Sequence, residues 1–293
     1  MRYYEVMDLS APGAPSRVEA APVVPGRVVV RHSVTTRLTH WVGALALVLL
    51  VMSGFAIFNA APYLDASDYS DPGRRVLAID GSDAPGGAHV GTTKIFGHSF
   101  TTTHVLGYTD DGQGGETARA FPGWITFPAY QDLAGARAWH LFFAWVMVVA
   151  GTIYLVVGLL RRDLSLLVVR PSDFPKMWPM QAYYLGLRKE PPLHGKYNPL
   201  QKAGYTVVLF VLCPFVVVTG LALSPGVDAF AGPLTVVLGG RQFARTWHFL
   251  ATIALIAFTF GHVFLVVSTG FFNNMRSMTL GTYRLGKNEG TDA

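Results

Sequence analysis

The sequence predicts an all-α membrane protein, a four-transmembrane-helix bundle with an extended outer loop. Three observations predict it. Only 14% of the residues are charged, where soluble domains carry about a quarter. Four charge-free apolar stretches, 38–58, 138–160, 203–223 and 247–270, are each at least 21 residues long. At about 1.5 Å per residue, about 20 residues cross a hydrocarbon core of about 30 Å. The segment 59–136 between the first two stretches is too long to be a simple connector.

Basic residues sort by side. Arg2, Arg17, Arg27, Arg31 and Arg37 precede the first span. Eight Lys or Arg lie between the second span and Lys202, and Arg276, Arg284 and Lys287 follow the fourth. The 59–136 loop has four Lys or Arg against nine Asp or Glu. The positive-inside rule therefore puts both termini in the cytoplasm and the loop outside, in a multi-pass protein of the cell's inner (plasma) membrane. The net charge of +5 is thus spent on orientation in the lipid bilayer, and no nucleic-acid partner is expected. The first 30 residues lack an apolar core for a cleavable signal, so the first span is expected to act as the insertion signal.

The domain layout follows. Residues 1–30, rich in Ala and Pro over 10–26, read as a disordered tail. Residues 31–286 form one membrane domain, and 287–293 a second cytoplasmic tail. Within the loop, 94–108 is rich in Thr, Phe and Val and reads as part of a small ordered cap. Its DGQGGE stretch lacks the strand–turn–helix context of a nucleotide site. The segment 161–199 reads as amphipathic and interfacial, with Trp178, Tyr183 and Tyr184 near basic residues. Cys213, the one cysteine, forms no internal disulfide; followed by Pro214, it marks a packing site at a helix kink.

Four of the nine histidines lie in the spans: His40, His140, His248 and His262. An ionisable residue inside a membrane is a functional candidate, although a lone one can also be a hydrogen-bonded packing residue. Orientation sorts these four into two levels. His140 and His248 fall near the outer ends of their spans, His40 and His262 near the inner ends. His248 and His262 are 14 residues apart on one helix, about 21 Å of rise and nearly four full turns, so they share a face. Two haems stacked across a bilayer need two ligands on each of two levels, and bundles place cofactors between facing helices in this way. Arg37, Arg137 and Arg245 each precede a histidine by three residues, on the same helix face and one turn nearer water. There they suit haem propionates, or simply snorkel at helix ends. Two histidines on one iron leave no open coordination position, so no catalytic residue is assigned to this chain. His89, His98 and His104 match no compact metal motif, and His194 reads as a solvated loop residue.

TTRLTHW (35–41), ARAWH (136–140), GKYNPLQK (195–202), RTWH (245–248) and the His248–His262 spacing resemble the bacterial di-haem cytochrome b561 superfamily over residues 31–286. That group includes the cytochrome b subunits of formate dehydrogenases and nickel–iron hydrogenases. FPGWITFPAYQDL (121–133) and NNMRSMTLGTYRL (273–285) look most like the thiosulfate reductase-type branch. The resemblance implies two haem b groups, with His40 and His262 on the inner iron and His140 and His248 on the outer. It also implies electron transfer between an outer-face redox subunit, a molybdopterin oxidoreductase, and the membrane quinone pool. A quinone contact at Asn198 is implied as well, although Asn198 before Pro199 is also a helix N-cap in its own right. The long outer loop departs from the compact formate dehydrogenase pattern. Readings from other classes are a transporter with a histidine proton relay and a stand-alone transmembrane haem reductase.

Overall fold

A computed structural model describes residues 28–83, 85–189 and 197–285. The tail before Val28, with Arg2, Arg17 and Arg27, the loop residue His194 and the 287–293 tail lie outside the described residues.

Four helical stretches are long and apolar enough to cross a membrane: α1 (Val34–Phe58), α2 (Leu133–Leu160), the composite Pro199–Leu223 and α7 (Arg241–Ser268), with mean hydropathy between 2.3 and 2.6. Each begins several residues before the sequence expectation. Hydropathy stops at the arginines, whereas the helix continues through Arg37, Arg137 and Arg245. At its far end α7 stops at Ser268, short of residue 270, because Gly270 takes a left-handed φ of 111°. Leu38, Leu45, Leu141, Trp145, Phe260 and Phe264 stand exposed along these helices. Apolar surface on this scale is stable against lipid, not water. The chain is an integral membrane protein.

The third stretch is broken. It runs as α4 (Pro199–Val207), a π-helical segment Val208–Leu212 and α5 (Cys213–Leu223). Pro214 supplies no N–H, and its ring crowds the carbonyl four residues earlier. The wide turn opens there, at the interruption that Cys213–Pro214 predicts. Shorter helices α3 (Phe174–Tyr184), α6 (Pro225–Val237) and α8 (Phe271–Thr279) complete the helical part.

The all-α expectation needs a correction: the chain also carries sheets. Strands β2 (Tyr63–Asp65), β3 (Arg75–Asp83), β4 (His89–Ile95) and β5 (His98–Thr101) form one antiparallel sheet in that order. β6 (Gly107–Asp110) and β7 (Glu116–Arg119) form a hairpin. The DGQGGE stretch is its turn, where Asp111 Oδ1 accepts from the N–H groups of Gln113 and Gly115. Those two bonds hold the Asp111 carboxyl below its ordinary range. The sheet and the hairpin meet main chain to main chain. A Cβ on Gly81 would lie 2.2 Å from the carbonyl oxygen of Gly107, and one on Gly91 2.2 Å from that of Leu106. Gly81, Gly91 and Gly107 are therefore a packing requirement, which composition alone cannot reveal. A third sheet pairs β1 (Val28–Val30) with β8 (Thr282–Arg284), so the last three residues of the expected disordered tail are a strand.

The chain divides into two compact units. One comprises the described residues within His40–Thr152 and Leu212–Ala257; the other comprises those within Met1–Thr39, Ile153–Val211 and Phe258–Ala293. The first contains the whole β segment. Its core joins Leu64, Ile79, Ala120 and Phe121 to Phe58 at the end of α1, with Phe55 and Phe249 packed against it. Phe55 stacks on Phe121 at 4.2 Å. Asn59, just past α1, treats Phe121 as a strand partner: its Oδ1 accepts from the Phe121 N–H at 2.7 Å and its Nδ2 donates to the Phe121 carbonyl at 3.1 Å. Buried Arg119 ties the return strand down by donating to the carbonyls of Asp111 and Ala129 and to Thr126 Oγ1. In the second unit α3 packs on α4, and the Asp173 carboxylate accepts from the Arg170 N–H at 3.0 Å and from Lys202 Nζ at 3.3 Å.

Asn59 therefore joins a spanning helix to the β segment. Asn59→Ala removes both bonds and leaves the buried Phe121 N–H and C=O without partners, a cost of about 2–4 kcal/mol. The expected outcome in detergent is faster hydrogen exchange at Phe121 and Ala120 and earlier proteolysis within 59–132. Asn59→Asp, which keeps the acceptor, falls between the two. Unchanged exchange at Phe121 in Asn59→Ala refutes the linkage.

Candidate functional site

In the first unit, α2 and α7 bring His140 and His248 face to face. Their ring centroids are 6.2 Å apart, with the ring planes at 69°. Each ring leans on a different neighbouring helix. His140 Nδ1 lies 3.0 Å from Ser53 Oγ on α1. His248 Nδ1 lies 3.0 Å from Thr219 Oγ1 on α5. The residue after each hydroxyl is glycine. A Cβ on Gly54 would sit 3.5 Å from His140 Cε1, and one on Gly220 3.2 Å from His248 Cε1. Both rings are therefore seated closely against a helix backbone that has no side chain at the point of contact.

This pair fits a shared metal ion. A metal–imidazole nitrogen bond is about 2 Å, and the ring centre lies about 1 Å further on. Two imidazoles that each gave one nitrogen to the same metal ion would have their ring centres up to roughly 6 Å apart, and the pair is spaced accordingly. With Nδ1 of each ring engaged by a hydroxyl, Nε2 is the nitrogen left to bind iron.

The other predicted residues fall as follows. His40 packs edge-on against Trp41 in the first unit. His262 stacks on Phe258 at 5.8 Å in the second. Arg245 donates to the Ala61 carbonyl and lies over the rings of Phe58 and Tyr63. Arg37 donates from Nη1 to the Thr279 carbonyl. Arg137 is exposed. Two of the three R-x-x-H arginines are thus engaged by main-chain carbonyls of their own unit. His89 stacks on Tyr108 and bonds Asp83, and His104 bonds Glu116. Among the described residues no group of three or more His, Cys, Asp or Glu side chains could hold a metal ion.

Asn198 caps α4. Its Oδ1 accepts from the Gln201 N–H at 2.9 Å, and the Gln201 side chain accepts from the Asn198 N–H at 3.1 Å. The remaining donor, Nδ2, reaches Tyr184 Oη at 2.8 Å. Burial raises the Tyr184 phenol above its ordinary range and does the same for neighbouring Tyr197.

Ser53, Gly54, Thr219 and Gly220 were not among the residues the sequence singles out. The available signal was the recurrence of hydroxyl–glycine, SG at 53–54 and TG at 219–220, inside two different spans.

The comparisons with known proteins identify the family. The prokaryotic cytochrome b561 family profile matches residues 31–281. A protein of Azospira oryzae named as a protein-methionine-sulfoxide reductase subunit, YedZ1, is 26% identical over 245 residues, 80% of this chain and 89% of that protein. A protein of Azotobacter vinelandii named as a Ni/Fe-hydrogenase B-type cytochrome subunit is 30% identical over 141 residues, 45% of this chain. The chain spans 59% of the length of that relative. A protein of the same name from Bradyrhizobium diazoefficiens is 28% identical over 92 residues, 29% of this chain and 37% of that protein. With a profile match across most of its length and four spanning helices, the chain belongs to the prokaryotic cytochrome b561 family, membrane cytochromes b that bind haem b and serve electron transport.

Proposed function

We propose that this protein is the membrane-anchoring di-haem subunit of an oxidoreductase complex, passing electrons between an outer-face redox subunit and the quinone pool. The observation that carries this reading is the His140–His248 pair, spaced at 6.2 Å and backed on both sides by hydroxyls. His140 and His248 hold one haem. His40 and His262 hold the second, on the opposite level, an assignment that rests on their positions along the spans and on the 14-residue spacing from His248. A haem held by two histidines in this way would supply one-electron transfer and leave no position open to substrate. The protein's own work is to orient the imidazoles, keep water from them and bring the carrier within reach of its partners.

The partner reading draws on relatives whose names make them subunits of a methionine-sulfoxide reductase and of hydrogenases. A redox subunit, of the molybdopterin class, docks over the β segment. The excess of nine acidic over four basic residues in 59–136 suits a basic partner surface and steers encounter. The distribution of Lys and Arg supports both termini in the cytoplasm and insertion in the inner membrane. Quinone reacts on the cytoplasmic side beside Asn198, where the Asn198–Tyr184 pair offers a hydroxyl and an amide to a quinone oxygen.

The ligand assignment has a direct test. His140→Ala and His248→Ala each reduce the haem content from two per chain to one, and both lose the same redox component in a potentiometric titration. His40→Ala and His262→Ala each lose the other component. Loss of one and the same component from the His40 and His140 variants refutes the pairing.

Asn198→Ala and Asn198→Asp should slow quinone-dependent reoxidation of the haems with haem content unchanged. The loss in the alanine variant is about fivefold, the kinetic equivalent of one hydrogen bond of about 1 kcal/mol. Wild-type quinone kinetics in both variants remove Asn198 from the site.

A further inference from the structure

We propose that Ser53 and Thr219 are positioning residues for the iron ligands, each hydroxyl fixing one imidazole in the tautomer that can bind metal. The proposal rests on the reading that His140 and His248 hold a haem. It starts from counting protons. A hydroxyl has one hydrogen to give and two lone pairs to receive. Ser53 Oγ lies 2.6 Å from the Leu49 carbonyl oxygen and 3.2 Å from that of Leu50. Thr219 Oγ1 lies 2.9 Å from the Phe215 carbonyl oxygen and 3.1 Å from that of Val216. Carbonyl oxygens only accept, so each hydroxyl hydrogen is committed to its own helix backbone. The hydroxyl oxygen then faces Nδ1, at 3.0 Å in both cases, as an acceptor. Nδ1 must carry the hydrogen, and Nε2 is left with the lone pair that a metal requires.

The arrangement is built twice from unrelated pieces of chain. On α1 and again on α5, a hydroxyl followed by glycine receives the Nδ1–Cε1 edge of a histidine from another helix. The glycine lets the ring approach closely enough for the bond, and the bond sets the rotation of the ring about its own axis. Neither residue touches the reacting atom, so both act through the ligand.

An acceptor on Nδ1–H also makes an imidazole a stronger electron donor to its metal. Stronger donation favours ferric over ferrous iron. Removing either hydroxyl should therefore raise the potential of the haem held by His140 and His248, and leave the other haem untouched.

The experiment uses the full chain purified from membranes, with Ser53→Ala, Thr219→Val, and the hydroxyl-preserving Ser53→Thr and Thr219→Ser. Haem content, potentiometric titration of the absorbance bands and the ferric electron paramagnetic resonance spectrum are read for each. The hydroxyl-free variants are expected to keep both haems and to shift one component upward. The shift is up to about tenfold in the ferric/ferrous constant, about 59 mV for one electron. It falls on the same component in both variants and carries a changed ferric spectrum. The hydroxyl-preserving variants stay at the wild-type potential. Unmoved potentials, equal movement of both components, or hydroxyl-preserving variants that move as far as hydroxyl-free ones overturn the proposal. If Ser53→Ala loses the haem, retention in Ser53→Thr supports the hydroxyl and loss in both overturns it. His140→Ala separates the two readings: a variant that keeps both haems ends the ligand assignment itself, whatever the serine variants do.

Discussion

A polar group inside hydrocarbon has no water to fall back on, and this constraint shapes every functional feature of the spans. A main-chain N–H or C=O left open there costs several kcal/mol, which is why the spans are helices. The same rule governs side chains. Ser53, Thr219 and Thr252 each donate to the carbonyl four residues earlier. A histidine cannot satisfy itself in this way, since its ring reaches beyond its own helix. It must find a partner on another element or a metal, and here Nδ1 takes the first course. At the His140–His248 pair the cost of burying polar groups in lipid is thus offset by hydroxyls of neighbouring helices.

The same economy extends into the β segment. Asn59 stands where α1 gives way to extended chain, and its amide reproduces the bonding of a strand against Phe121. Buried Asp65 is held by Arg75, and its carbonyl accepts from Thr246 of α7 at 3.0 Å. The unit containing the histidine pair is therefore continuous in hydrogen bonding from the spans to the sheets. A partner that pushes on those sheets acts on the same packed body that holds the imidazoles, since Phe55 and Phe58 of α1 belong to the core shared with Phe121.

What could be read in advance divides along physical lines. Span positions and the four histidines were legible because hydropathy and intramembrane ionisable residues are properties of the chain itself. Span ends were less so, because an arginine ends an apolar run without ending a helix, as Arg37 and Arg245 show. The strand content of 94–108 was visible in its residue types, but the sheet order was not. Nor was the packing of that sheet on the hairpin, which depends on backbone contact at Gly81, Gly91 and Gly107; glycine carries the same letter whether it serves a turn or a close approach. Ser53 and Thr219 were hidden for a related reason. Hydroxyls in spanning helices commonly bond their own backbone, and only the partner across the helix gap distinguishes these two.

The pairing of β1 with β8 ties Val28 to Arg284 and Val30 to Thr282. Adjacent strands lie about 5 Å apart, so the first and last described strands meet at a seam. Arg31 over the ring of Tyr283 at 4.2 Å reinforces that seam. A protein joined in this way offers the laboratory a handle independent of its orientation in the bilayer. Split-reporter halves fused ahead of Val28 and behind Leu285 would meet in every correctly folded molecule. A short linker across the seam would let new ends be opened elsewhere, turning the order of the spans into a variable that circular permutation can set.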